Sequence, residues 1–161
     1  MSKHDDVVKA LKELAEKYPH YSKDRIFAYL DRREPIRIPF HTYTHYYYPD
    51  LWAETKRYKK VDVYEVWYTE TEGEAIADIY LSAKIPNLLD ICIVCVKTSK
   101  DSWTKEYAEN IIYTVLEDLE AKYPSLKSLR AQGNVDVAEI GNEELKDKVK
   151  LKESLKKQFE F

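Results

Sequence analysis

The sequence predicts a single α/β domain (α+β in the arrangement of its parts), with a central mixed β-sheet flanked by helices. Three stretches carry that expectation. KVDVYEVWYTE (60–70) and LDICIVCVKTS (89–99) are runs of β-branched and aromatic residues of strand length. WTKEYAENIIYTVLEDLEAKY (103–123) instead repeats its apolar residues at helical spacing. At 161 residues the chain fits one domain and can bury a core without disulfide or metal staples.

Residues 5–18 place Val7, Val8, Leu11, Leu14, Ala15 and Tyr18 on one helical face, and Pro19 stops the run. Ser22 reads as the N-cap of a second helix over 23–32, with Ile26, Phe27 and Leu30 inward. This N-terminal helical pair (1–33) either packs on the main sheet or forms an arm that touches DNA. Pro35 and Pro39 then break the chain. FHTYTHYYY (40–48) reads as extended, with His41, Tyr43, His45 and Tyr47 on one face. That face either covers a sheet edge or stacks unpaired bases. His41 and His45 make no convincing metal pair, because the context is strand-like and no third ligand is in view.

A helix is expected over 50–59, with Asp50 near its start and Glu54 in its second turn. Strands 60–70 and AIADIYLSA (75–83) are joined by TEGE (71–74), the length of an antiparallel hairpin turn. After the short link PNLL (86–89) comes the third strand, 89–99. The long helix 103–122 opens at Ser102, buries Ala108, Ile111, Ile112, Val115 and Leu119, and ends before Pro124. Strands at 126–131 and 135–140 flank QGN. A last helix, 143–158, carries Leu145, Val149 and Leu155 among many lysines. The chain thus divides into the helical pair, an α/β core (34–140) and a lysine-rich C-terminal helix (141–161), with no repeat and no flexible linker.

Net charge is −3, so no global positive field draws in nucleic acid or anionic membrane, and any such contact needs a local basic patch. Lys146, Lys148, Lys150, Lys152, Lys156 and Lys157 offer one, diluted by Glu143, Glu144, Asp147 and Glu153. No run of eighteen apolar residues is present and MSKHDDVV has no apolar leader core, so an intracellular (cytoplasmic) protein without a membrane span is expected. Abundant Lys and Glu with glutamine only at Gln132 and Gln158 follow a thermophile-like tendency. Cys92 and Cys95 have C-x-x-C spacing, but on a strand they face opposite ways. They are therefore expected as two reduced, buried thiols rather than a metal or redox pair.

The order helix, strand, strand, strand, helix, strand across 50–140, with Asp78 on the second strand and Lys97 at the end of the third, resembles the PD-(D/E)xK superfamily. That resemblance implies a restriction-endonuclease-like core. The family's second-strand acid falls on Asp78, its third-strand acid-x-lysine pair on Cys95 and Lys97, and its first-helix glutamate on Glu54. It implies a Mg²⁺- or Mn²⁺-dependent nuclease that hydrolyses DNA phosphodiester bonds, with Asp78, Lys97 and Glu54 catalytic. A homodimer stays open.

The chemistry requires hard oxygen ligands for the cation and a cationic side chain beside them. Ile91, Ile93, Cys95 and Lys97 share a strand face, so Lys97 is spaced correctly from position 95. A thiol is the wrong ligand for magnesium. Three readings follow. A carboxylate from the next helix, Glu109 or less favourably Glu106, completes the shell with Asp78 and Glu54. Alternatively Asp62 or Glu54 joins Asp78; Asp62 and Glu65 lie on opposite faces of their strand, so one of them at most serves any single site. Or the fold is kept and the chemistry lost, leaving a nucleic-acid-binding or protein-interaction domain.

Overall fold

The computed structural model describes residues 2–99, 103–122 and 134–161. The first helix, α1 (Lys3–Lys17), is capped by Ser2, whose hydroxyl accepts from the Asp5 N–H, and Asp5 and Asp6 sit in its first turn where the helix dipole favours them. It buries Val7, Val8, Leu11 and Ala15 against the sheet, as their spacing requires.

The segment expected to be a second helix is a strand, β1 (Tyr21–Ala28). Ile26 and Ala28 enter the core under α1 while Phe27 enters a separate cluster on the other face. That alternation belongs to a strand, and the irregular register between Tyr21 and Ile26 obscures it in the sequence. There is accordingly no N-terminal helical pair. A two-stranded sheet follows, β2 (Ile36–Pro39) and β3 (Thr44–Tyr47); the extended reading of the aromatic segment holds for Thr44–Tyr47, while His41 and Thr42 form the bend between the strands.

The helix expected over 50–59 is also a strand, β4 (Leu51–Thr55), lying between β1 and β5 (Val61–Trp67) and antiparallel to both. Leu51 and Ala53 point towards α1, Trp52 away from it. At the turn after β4, Tyr58 and Lys59 adopt left-handed φ values of 68° and 52°.

The strand expected over 75–83 is a helix, α2 (Glu72–Ala83). Its N-terminus is a capping box: the Thr71 hydroxyl accepts from Glu74 N–H, and Glu74 accepts from Thr71 N–H. TEGE is thus a helix start and not a hairpin turn. Topology explains the outcome, because β5 and the next strand, β6 (Leu88–Lys97), are parallel, and parallel neighbours need a crossover of helix length. A second crossover, α3 (Lys105–Lys122), leads to β7 (Val135–Gly141), parallel to β6. The strand expected at 126–131 and the cap at Ser102 lie outside the described residues. The tail is two helices, α4 (Asn142–Leu145) and α5 (Lys148–Phe159), where one was expected; Asp147 caps the second by accepting from Val149 and Lys150.

The main sheet has the order β1-β4-β5-β6-β7. One face packs on α1 and α5, through residues such as Leu11, Val94, Ile140 and Leu155. The other packs on α2 and α3 through Trp67, Ile79, Ile93 and Ile112. The β2–β3 hairpin closes a third cluster with Phe27, Trp52 and Val63. Cys92 and Cys95 are both buried and free, on opposite faces, as the alternation requires. Among the described residues no helix is long and apolar enough to cross a membrane.

Candidate carboxylate site

Four acids converge where β5 ends. Asp50 stands just before β4, Glu65 lies within β5, Glu70 in the loop after it, and Asp78 on the second turn of α2. The Asp50 N–H donates to Glu65 Oε1 at 3.1 Å, and the Val66 N–H donates to Asp50 Oδ2 at 2.8 Å. These main-chain bonds fix Asp50 to the end of β5 through the pairing of β4 with β5.

Glu65 is the most deeply placed of the four. The Tyr47 hydroxyl, from β3, donates to its Oε1 at 2.9 Å and lies 3.2 Å from Ser82 Oγ. Burial, then the charges of Asp50 and Asp78, push the Glu65 carboxyl well above the usual range. Asp78 is itself pushed up to about 6, by burial first, against the hydrogen bond from Trp67 Nε1 at 3.0 Å. The result is a pair of carboxyls that tends to hold a proton or another cation between them.

His4 covers the rim. Its Nε2 is 3.1 Å from Asp50 Oδ2 and 3.8 Å from Glu70 Oε1, and its Nδ1 lies 3.2 Å from the Tyr29 hydroxyl. Burial disfavours the imidazolium, but the hydrogen bond and charge of Asp50, with Glu70, outweigh it and raise its pKa to about 8. At neutral pH a cation therefore already sits at the mouth of the cluster.

The residues expected to form the site are dispersed, and only Lys97 and Glu109 of them share a cleft. Asp78 belongs to this cluster, but from a helix and not a strand. Glu54 lies on β4, 3.4 Å from an Arg25 guanidinium nitrogen, in a cleft with Arg37, Trp52 and Asn87. Lys97 ends β6 and shares a third cleft with Glu109, Glu106 and Glu139. The shared face of Ile91, Ile93 and Cys95 is borne out, but Cys95 is buried among α2 and α3 residues and its thiol is pushed up to about 12 by burial, then by Glu139 and Glu109. The opposed faces of Asp62 and Glu65 are likewise borne out. Asp62 accepts from the Tyr21 hydroxyl at 2.6 Å and from the Asp90 N–H at 3.1 Å, far from Glu65 in environment.

Asp50, Glu65 and His4 were not singled out as site residues from the sequence. Two signals pointed to them: the Pro49-Asp50 pair before an alternating segment, and a lone acid inside the buried run VYEVW, where a charge needs a partner. The donor set is all oxygen, which suits a hard divalent cation. In the present arrangement those oxygens are spent on protein donors, and among the described residues no three His, Cys, Asp or Glu side chains are grouped to hold an ion. Comparison with known proteins finds no matching family model, curated protein or solved structure.

Proposed function

We propose that the chain is a divalent-cation-dependent nuclease of the PD-(D/E)xK type acting on DNA, with its centre at Asp50, Glu65 and Asp78. One observation carries the reading. The order helix, strand, strand, strand, helix, strand is present as α1, β1, β4, β5, α2 and β6, once the β2–β3 hairpin is treated as an insertion. The second and third strands of that order are β4 and β5. The acid of the second strand then falls on Asp50, preceded by Pro49, and the acid-x-lysine pair on Glu65-Val66-Trp67. These are the two acids joined by the Asp50 N–H bond at 3.1 Å.

When bound, Mg²⁺ or Mn²⁺ would supply polarisation of the phosphoryl oxygens and a water of lowered pKa. Asp50, Glu65 and Asp78 are the residues to hold it. The chain's own contribution is positional. Main-chain bonds fix Asp50, and Tyr47 orients Glu65. His4 provides positive charge at the rim, where an approaching phosphate needs it.

A second reading has its own support. Trp67 stands at the position of the lysine, fully buried, with its indole committed to Asp78. Such a chain keeps the nuclease fold and binds nucleic acid without cutting it.

Titrating the protein with Mn²⁺ by electron paramagnetic resonance tests the centre itself. Saturable binding that weakens by about 10-fold or more in Asp50→Asn and in Glu65→Gln supports it. Binding unchanged in both variants, or absent in the native protein with DNA present, would sink it. Cleavage separates the two readings.

A further inference from the structure

Resting on the nuclease reading for its biological sense but not for its geometry, we propose that the outward face of the β2–β3 hairpin binds single-stranded nucleic acid, stacking unpaired bases on Tyr46 and Tyr48. The hairpin register pairs Arg37 with Tyr46 and Ile36 with Tyr47. Ile36, Ile38 and Tyr47 therefore face the core, while Arg37 and Tyr46 face out. The outward rings are unusually open: Tyr46 is 53% and Tyr48 44% exposed. An exposed tyrosine leaves its apolar face in water, and two together on one small ribbon form a surface suited to a planar partner.

The rings come with cations. The Arg33 guanidinium lies 4.2 Å from the centroid of the Tyr48 ring, and Arg37 flanks Tyr46 across the strands. Among the described residues no carboxylate forms an ion pair with Arg33 or Arg37, so both keep their charge for an anionic partner. Aromatic platforms beside arginine suit nucleic acid, because every base has a π-face and every nucleotide a phosphate.

The spacing favours single strands over duplex. Tyr46 and Tyr48 are two residues apart on an extended segment, so their side chains emerge roughly 6.6 Å apart. A stacked duplex offers about 3.4 Å per base step and no free base faces, whereas an unstacked strand spans the larger step. The inward neighbour, Tyr47, donates to Glu65, so this surface and the carboxylates lie on opposite sides of the ribbon.

Fluorescence anisotropy with labelled oligothymidine and with a duplex of equal length, in EDTA so that nothing is cut, tests the surface. Tighter binding of the single strand, weakened roughly 10-fold or more by Tyr46→Ala with Tyr48→Ala and retained by Tyr→Phe at both positions, is expected. Circular dichroism of the variants reports that they fold. Preference for the duplex, no binding of either, or affinity unchanged in the alanine variant overturns the proposal; no binding would leave the ribbon to a protein partner. Because EDTA removes the cleavage step, single-strand binding without later cutting would defeat only the nuclease reading.

Discussion

The main-chain N–H of Asp50 donates to Glu65 Oε1 at 3.1 Å, so the residue that opens β4 is fixed to the acid buried within β5. Two acids 15 positions apart in sequence are joined by a bond from the backbone of one to the side-chain carboxylate of the other. The separation between them is set by sheet register, and the rest of the cluster is assembled around it.

Tyr47 is the cluster's second anchor. Its hydroxyl is within hydrogen-bond distance of Glu65 Oε1 and Ser82 Oγ, at 2.9 and 3.2 Å, in a fully buried setting. Tyr47→Phe keeps the ring and leaves both oxygens short of a partner. Unfolding in urea is expected to show a loss of about 1–3 kcal/mol. An unchanged midpoint would mean that Glu65 finds another donor or water.

His4 gives the site a pH signature. Its folded pKa is raised to about 8 from 6.5, so the imidazolium is favoured in the folded state. The stability it adds is fully present below the unfolded value and is lost as pH rises through about 8. His4→Gln is expected to cost about 1 kcal/mol near pH 6, after allowance for solvent screening, and much less near pH 9. Thermal melts at the two pH values check this. A penalty that grows with pH would contradict the ion pair with Asp50.

Asp62 shifts stability in the same direction, over a lower pH window. Burial is the main cause of a folded pKa near 7, against an ordinary 3.8, with the charge of Asp90 adding to it and the Tyr21 hydrogen bond opposing it. Between those values the unfolded chain has released the proton and the folded chain keeps it. Wild-type stability therefore falls as pH rises through that window. Asp62→Asn removes the titration, and its stability curve is expected to be flatter by roughly 1–3 kcal/mol across the same range. Parallel curves for the two proteins would show that Asp62 does not carry the shift.

Asp78 reaches the site only because α2 forms. The Thr71–Glu74 capping box starts that helix, and Thr71→Ala is expected to lose about 1 kcal/mol. Hydrogen exchange should quicken at the start of α2 before it does in β6. Uniform protection would place the start of the helix elsewhere.

The elements legible from the sequence share a physical character. β5 and β6 are central strands buried on both faces, so they read as continuous apolar runs, and α1 and α3 each bury one clean stripe. β1 and β4 were misread because Ile26, Phe27 and Leu30, or Leu51, Trp52 and Glu54, also satisfy a helical spacing. Pairing with residues far along the chain decides for strand. α2 was misread for the converse reason: its buried positions, Ala75, Ile79, Ser82 and Ala83, follow a helical period but are mostly small, while exposed Ile76 and Tyr80 suggested strand alternation.

The site was legible only at Asp78, and there through the wrong element. His4 and Asp50 meet across 46 positions and Tyr47 and Glu65 across 18, contacts that exist only once the sheet is assembled. Lys97 had the right spacing from position 95, but β6 carries it to a cleft lined by Glu106, Glu109 and Glu139, apart from Asp78.

The most direct measurement is cleavage of single-stranded and supercoiled circular DNA with Mg²⁺ or Mn²⁺, comparing the native protein with Asp50→Asn and Glu65→Gln. Metal-dependent cutting by the native protein, reduced at least about 100-fold in each variant, is the expected result. Cutting that survives both substitutions, or depends on Lys97 and Glu109 instead, would contradict the placement of the centre. DNA binding without any cutting would leave the fold with its chemistry lost.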